Sequence, residues 1–268
     1  MIIELINGTR FDIADYNLKR LYHYIPSANI EHNSAEVDGR SDIILNSKIN
    51  SRVITVDFVY ISQDIFDFYL LREEINNLFL REEAFYITFK NEPHKRWLVK
   101  VANQYNLQPN QRLETFTVEF LTMNAYAESV ATTTTLKEWD IDSWAWNGTI
   151  DWDDVPVYSY FTDNFIIKNL GNTTVNPRES FLEISISANA DRFIQLNNAT
   201  TGEVFRYNGT LTTNDRFVIN GIRTTKNDVS VFGDTNKRLL RLVPGDNRIL
   251  ISGASLAITT FNFRYLYK

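Results

Sequence analysis

Residues 119–154 read EFLTMNAYAESVATTTTLKEWDIDSWAWNGTIDWDD, and this stretch separates two different patterns in the chain. It begins with a strand-like alternation, passes through four consecutive threonines and holds four of the five tryptophans. Asn147-Gly148 is the dipeptide best suited to the positive φ angles of a two-residue hairpin turn. The sequence therefore predicts a hairpin whose arms carry tryptophans on either side of this turn. We interpret residues 119–154 as the connection between two β domains and call this stretch the handover.

The predicted hairpin carries indole rings on both of its faces. Trp144 and Trp146 fall on one face and Trp152 on the other, with Trp139 ahead of the hairpin. Two apolar faces need cover on both sides, which a position between domains or subunits would supply. Tryptophan beside aspartate is also the composition of sugar-binding surfaces. Interdomain packing and glycan contact are therefore both kept as hypotheses for these four residues.

Upstream of the handover, the pattern predicts a β domain with one helix. Asn7-Gly8 predicts an opening hairpin, and residues 49–61 alternate so that one face is wholly apolar. Between residues 62 and 81 apolar side chains recur at spacings of three and four, which predicts a helix capped by Ser62. With three further predicted strands, residues 1–128 read as a β-sandwich or barrel carrying one α-helix.

Residues 25–47 form a long polar segment inside this first domain. It holds too few apolar side chains to pack against its own domain, and long segments of this kind are often functional. We predict that it reaches a neighbouring subunit during assembly. The candidate assembly residues are Asn33, Glu36, Asp38, Gly39 and Arg40.

Downstream of the handover, short strands recur with turn signals between them and no helical period. Residues 129–160 are predicted to be a linker that contains the tryptophan-rich hairpin, and residues 161–268 a β-sandwich. The clearest predicted hairpin is LLRLV-PGDN-RILIS at 239–252, where Pro244 and Gly245 suit a type II turn.

Composition and motifs point away from several function classes. The chain has 268 residues, no cysteine and a net charge of -6, with 13 lysines and arginines against 18 aspartates and glutamates up to residue 130. No dense basic stripe favours nucleic-acid binding, and no apolar run is long enough to enter a membrane. The three histidines lack metal-ligand spacing, and no phosphate-binding or nucleophile motif occurs. We expect no catalytic residue, no metal and no cofactor.

Several short motifs, in order along the chain, resemble the distal tail proteins of long-tailed, non-contractile bacteriophages. They are the opening hairpin, Asp-Gly-Arg at 38–40, the strand TFTVEFLT, Asn-x-Gly at 169–171, Pro177, VINGIR at 218–223 and Leu-Val-Pro-Gly-Asp-Asn at 242–247. One position departs from the family: its first domain commonly closes with Asp-Pro-Tyr, and here Asn124-Ala125-Tyr126 stands in that place.

The resemblance implies an N-terminal domain related to tail-tube proteins and a C-terminal galectin-like β-sandwich. It further implies a homohexameric ring in the virion, at the distal end of the tail, made in the host bacterial cytoplasm. Its partners would be the tail tube protein, the tip or baseplate protein and, in some members, receptor-binding proteins. Phage DNA would pass through the lumen without specific binding, which an acidic wall would favour. The alternative function is a lectin-like protein that recognises host cell-wall polymer.

Overall fold

The computed structural model describes residues 1–35, 38, 43–109, 113–135 and 156–268. They form two compact units, Met1–Ala127 together with Lys268, and Glu128–Tyr267. Most regular structure is antiparallel β, and the described residues contain one α-helix. The predicted mainly β fold class, with one helix in the first domain and a β-sandwich in the second, is confirmed.

The first unit contains nine strands, one 3₁₀ turn (Ile13–Tyr16) and one helix. Its strands and helix are β1 (Ile2–Leu5), β2 (Arg10–Asp12), β3 (Leu18–Tyr24), β4 (Ile30–Ala35), β5 (Ile43–Ile49), β6 (Val53–Ile61), α1 (Ile65–Phe79), β7 (Phe85–Thr88), β8 (Lys95–Val101) and β9 (Leu113–Thr122). Seven strands form a sheet in the order β2-β1-β7-β8-β9-β6-β3, and β4 and β5 pair separately as a hairpin.

The core of this unit lies between one face of the sheet and α1. The predicted apolar face of β6 is buried, and Phe58 and Tyr60 pack on Phe79 and Phe68 of the helix with ring centroids 5.3 and 6.0 Å apart. The opposite face of the sheet has no helix on it and carries mixed residues. We call it the open face.

The helix begins two residues later than the sequence predicted. Asp64, and not Ser62, is the N-cap: its carboxylate accepts hydrogen bonds from the backbone N–H groups of Phe66 and Asp67, each at 2.8 Å. Asp67 accepts in turn from the backbone N–H of Gln63 at 2.7 Å. Ser62 is buried instead of capping. A carboxylate is the better cap because it also interacts favourably with the helix dipole.

Arg52 is a buried cation at the start of β6, and it joins two distant segments of the first unit. Its guanidinium donates to the carbonyls of Pro26 and Ala125 at 3.1 and 2.7 Å, and it lies 5.0 Å from the ring centre of Trp97. Ala125 occupies the middle of the Asn-Ala-Tyr that replaces Asp-Pro-Tyr. Since Arg52 uses only the backbone carbonyl there, the contact does not depend on the side chain at this position.

The second unit is built from short strands and one 3₁₀ turn (Phe232–Asp234). From the end of the first unit onward the strands are β10 (Ala127–Ser129), β11 (Ser159–Tyr160), β12 (Asn164–Asn169), β13 (Leu182–Asn189), β14 (Ile194–Asn198), β15 (Glu203–Tyr207), β16 (Phe217–Asn220), β17 (Arg223–Lys226), β18 (Val229–Ser230), β19 (Gly245–Ser252), β20 (Ser255–Phe263) and β21 (Leu266–Tyr267). One sheet has the order β11-β20-β13-β16-β17-β18 and the other β12-β19-β14-β15, while β10 pairs with β21.

The two sheets of the second unit face each other across an aromatic core. Phe165 of one sheet meets Phe261 of the other at 6.1 Å, and Tyr207 meets Phe217 at 4.9 Å between ring centroids. The unit is therefore a two-layer sandwich.

Three buried asparagines explain two of the sequence motifs. Asn247 donates to the carbonyls of Val243 and Gly245 and accepts from the backbone N–H of Val243 at 2.9 Å and from the side chain of Asn198 at 3.2 Å. Asn169 donates to the carbonyls of Thr173 and Leu242 and accepts from the backbone N–H of Gly171. Asparagine suits these positions because one side chain offers both donors and an acceptor.

The predicted hairpin at 239–252 is wrong in its first arm. Residues 239–243 form no strand; Leu242 makes a single bridge to Val175, and β19 pairs with β12 and β14. The turn itself has the predicted character, since Gly245 has φ +84°. The Asn247 side chain supplies Val243 with the hydrogen bonds that a partner strand would otherwise give.

The predicted linker overlaps with ordered parts of the second unit at both of its ends. Thr133 is buried and its hydroxyl donates to the carbonyl of Phe261 at 2.8 Å, so the four-threonine run lies against β20. At the other end, Ser159–Tyr160 form β11. The tryptophan-rich hairpin itself, including Trp139, Trp144, Trp146 and Trp152, lies outside the described residues.

Candidate assembly surface

The hairpin of β4 and β5 has no buried residue. Its two strands pair from Ile30↔Ile49 to Ala35↔Ile43 with one bulge, and all their residues except Ala35 and Ile49 are exposed. The exposed residues include Ile30, Ile43, Ile44 and Leu45, of which Leu45 is 68% exposed. An isolated two-stranded hairpin is marginally stable in water. Four aliphatic side chains on this element are therefore exposed in the single chain.

The predicted assembly residues fall on this hairpin and its connection. Asn33 lies on β4, where its side chain donates to the side-chain carbonyl of Asn46 at 2.7 Å across the hairpin. Asp38 is exposed between the two strands. Glu36, Gly39 and Arg40 lie outside the described residues. The role of this segment in assembly stays a prediction, and the two strands that it forms were not predicted from the sequence.

A second exposed area is the edge of the sheet at β3. Within the described part of the chain, β3 pairs with β6 alone, so its other side presents backbone donors and acceptors. Tyr22 and Tyr24 project from it, Tyr22 being 75% exposed. An unprotected seven-residue edge is a template for pairing with another chain.

The inner side of β3 packs against Phe89. The His23 ring stacks on Phe89 at 4.1 Å between centroids, and Arg20 lies 5.5 Å from the same ring. Burial, and secondly the charge of Arg20, lower the pKa of His23.

The outer side of α1 is a third exposed apolar area, which we call the helix patch: Ile65, Phe66, Tyr69 and Leu70. Their spacing of three and four residues places Phe66, Tyr69 and Leu70 on one side of the helix. Phe66 is 77% exposed. The first unit thus presents apolar surface on its hairpin, its sheet edge and its helix.

The open face of the sheet is balanced in charge. Strand register places four acidic and four basic residues on it: Glu4, Asp12, Asp57, Glu119, Arg10, Lys19, Arg96 and Lys100. The acidic excess of the unit lies instead around α1, where Glu73, Glu74, Glu82 and Glu83 are exposed.

No metal site emerges from the histidines and carboxylates that the structure describes. No group of three or more His, Cys, Asp or Glu side chains is placed there to hold an ion. His32 lies on the exposed hairpin, 2.7 Å from the Ser47 hydroxyl. None of the described helices is long and apolar enough to span a membrane.

Comparison with known proteins gives one family match and several similar folds. A profile of the family described as "Phage tail protein RIFT-related domain" matches residues 6–122. The matched residues all lie in the first unit. A search of curated protein sequences gives no match.

Solved structures extend the similarity of fold over both units. The crystal structure of the Dit protein of phage SPP1, described as a paradigm of the hub adsorption apparatus in phages that infect Gram-positive bacteria, matches with a TM-score of 0.70. The identity is 14%, and 98% of each chain is covered. A chain of the phage P2 baseplate in its activated conformation with Ca matches with a TM-score of 0.50 and 11% identity, over 98% of this chain and 97% of that one.

These findings confirm the resemblance to siphophage distal tail proteins that the ordered motifs indicated.

Proposed function

We propose that the protein forms a homohexameric ring at the distal end of a non-contractile phage tail. The hairpin carries this proposal: β4 and β5 bury nothing in their own chain and expose four aliphatic side chains. In a ring, the hairpin of one subunit covers the β3 edge or the helix patch of the next. Head-to-tail contacts of this kind close into a ring when the rotation allows it.

The ring would join the tail tube to the tip or baseplate protein and to receptor-binding proteins. The first unit would supply the ring contacts, since it carries the phage tail domain and the exposed apolar surfaces. DNA would pass through the lumen. If the open face lines the lumen, its equal numbers of acidic and basic residues give a wall with little net attraction for the phosphate backbone.

Removing the tip of the hairpin tests the ring. Deletion of Asn33 to Asp42 should leave a folded protein with unchanged thermal unfolding that light scattering reports as a monomer. The unaltered protein should give a hexamer mass and rings in negative stain. A strictly monomeric unaltered protein at all concentrations, or intact rings from the deletion variant, would contradict the proposal.

We also propose that Trp139, Trp144, Trp146 and Trp152 are covered by a neighbouring domain or subunit. The test uses a variant in which Trp144 and Trp146 are the only tryptophans. In the assembled protein, iodide should quench the fluorescence of this variant only weakly. Strong quenching, together with glycan binding that is lost in W144A/W146A, would favour the lectin-like alternative.

A further inference from the structure

The second unit carries a concave surface whose charge differs from that of the chain as a whole. It is a cleft of about 370 Å³, within the size range of small-ligand sites. Its lining consists of Asn176, Arg178, Gly202, Glu203, Val204, Lys237, Arg238, Leu239 and Arg241. We call it the basic cleft, because four of these nine residues are cations and one is an acid, in a protein of net charge -6.

Among the residues that the structure describes, three of the four cations have no partner for their charge. Within the described residues, the side chains of Arg178, Lys237 and Arg238 make no hydrogen bond or ion pair. Like charges held near one another repel, and a bound anion relieves that repulsion.

The fourth cation is held in place by the single acid. The Glu203 carboxylate accepts from the guanidinium of Arg241 at 2.5 Å and from its backbone N–H at 2.7 Å. This pair neutralises one charge and fixes the Arg241 side chain at the side of the cleft. The cleft keeps a net positive charge because the remaining three cations are not neutralised.

The turn that presents Lys237 and Arg238 is fixed by side-chain hydrogen bonds. Asn236 donates to the carbonyl of Val204 on β15, and its side-chain oxygen accepts from the backbone N–H groups of Arg206 and Arg238. Lys237 has φ +56°, the left-handed region that a non-glycine residue seldom occupies. The cation is thus held in an unfavourable backbone conformation at the edge of the cleft.

The lining indicates which kind of anion fits. It contains no aromatic ring for stacking on a sugar and none of the aromatic anchors that dominate protein interfaces. Guanidinium groups match the oxygens of phosphate in pairs, and a small concave site suits a compact group of high charge. A second concave surface, of about 300 Å³ on the first unit, has Arg81 beside Glu82 and Glu83, so its charges do not favour an anion.

We propose that the basic cleft binds a phosphate group, either free or within a phosphodiester-linked polymer. This property is separate from ring formation, since all nine lining residues lie in the second unit. Light scattering therefore tests ring formation and calorimetry tests phosphate binding, and either proposal can fail without the other.

Calorimetric titration of the full-length protein tests the proposal with two probes, inorganic phosphate and a soluble glycerol-phosphate oligomer. The double variant K237N/R238Q should weaken binding of the better probe at least about tenfold, since it removes two charge-assisted contacts. Asparagine at 237 tolerates the left-handed backbone, so the variant should keep its thermal stability. Binding should also weaken between 50 and 300 mM salt, as screening predicts.

Arg192→Gln is the matched control. Arg192 is an exposed cation without a side-chain partner, in the turn before β14, at the opposite end of the β14–β15 pair from Glu203. The control should bind both probes as the unaltered protein does. Tighter binding of the oligomer than of an equal concentration of free phosphate groups identifies the polymer as the source, and equal binding identifies free phosphate.

Three results would overturn the proposal. They are the absence of heat with either phosphate probe, an equal loss of affinity in R192Q, and binding of poly-glutamate of the same charge as tightly as the oligomer. The last result would show a general response to negative charge instead of a phosphate site.

Discussion

Two β-hairpins of this chain have the same architecture and opposite burial. In the pair β14–β15 of the second unit, Ile194, Leu196, Phe205 and Tyr207 are buried in the sandwich core. In the pair β4–β5 of the first unit no residue is buried, although Ile30, Ile43, Ile44 and Leu45 are as apolar. The second unit buries this pair within one chain, whereas the first presents a hairpin that the described residues of its own chain leave exposed.

The largest expected effect comes from the buried asparagine cluster that makes the second unit self-contained. Asn247→Ala removes the side-chain partner of the Val243 N–H and of the Val243 and Gly245 carbonyls, and it removes one of the two acceptors of the Asn198 amide, all in a buried site. Unpaired buried polar groups cost about 1–3 kcal/mol each, so we expect a loss of at least about 3 kcal/mol in unfolding free energy. Denaturant titration of the second unit's transition measures it.

Asn208→Ala is the control for this change. Asn208 is exposed, and its side-chain oxygen accepts one bond, from Arg206. Its replacement should change the unfolding free energy by less than about 0.5 kcal/mol. A loss below about 1 kcal/mol in the Asn247 variant would show that the cluster does not hold residues 239–247 in place.

The next effect concerns the buried cation of the first unit. Arg52→Ala removes the bonds to the carbonyls of Pro26 and Ala125 and the contact with Trp97. We expect a loss of about 2–3 kcal/mol, confined to the first unit. Lys100→Ala, an exposed position on β8, should stay within about 0.5 kcal/mol. Equal unfolding free energies of the two variants would show that the contacts of Arg52 do not stabilise the first unit.

Alkaline pH should distinguish the two units by a smaller amount. Burial raises the pKa of Tyr158, Tyr265 and Tyr267 in the second unit, and it raises the pKa of Tyr105 in the first to about 12. Each of these pKa values in the folded state exceeds the value near 10 in the unfolded state, so the protonated tyrosines contribute their full stabilisation below pH 10. This contribution to the free energy of unfolding is lost as the pH rises from 10 towards the pKa of the folded state.

We therefore expect the second unit, with three such tyrosines, to lose more stability between pH 9 and pH 10.5 than the first. Tyr158→Phe should reduce that loss, and Tyr22→Phe, at an exposed position, should not change it. Denaturation midpoints at the two pH values provide the measurement. A second unit whose midpoint does not move with pH would contradict the burial of its tyrosines.

The same contrast explains which parts of the structure the sequence predicted. The opening hairpin, β3, β6, α1 and β9 follow from local alternation, helical spacing or turn chemistry, because burial within one chain selects those patterns. The β4–β5 hairpin was missed because it has no buried side, so its sequence carries no alternation.

The strand that was wrongly predicted at residues 239–243 has the opposite explanation, because its sequence alternates although the residues form no strand. LLRLV alternates like a strand, yet the residues are held by the side chain of Asn247, and no periodicity reports a side-chain contact of that kind. The basic cleft was missed for a related reason. Arg178, Glu203 and the residues 237–241 are far apart in sequence and meet only through the pairing of the folded sandwich.

The smallest expected effect on stability should come with the largest effect on assembly. Ile44→Asn with Leu45→Asn replaces two exposed aliphatic side chains on β5, so a single chain loses no buried contact. We expect the unfolding free energy of the monomer to change by less than about 0.5 kcal/mol. If a neighbouring subunit covers the hairpin, the same variant should fail to form rings in light scattering and negative stain. Val229→Asn, an exposed aliphatic position on β18, should assemble normally. Rings from the β5 variant would show that the exposed hairpin does not form the contact between subunits. The β3 edge and the helix patch would then be the surfaces to alter.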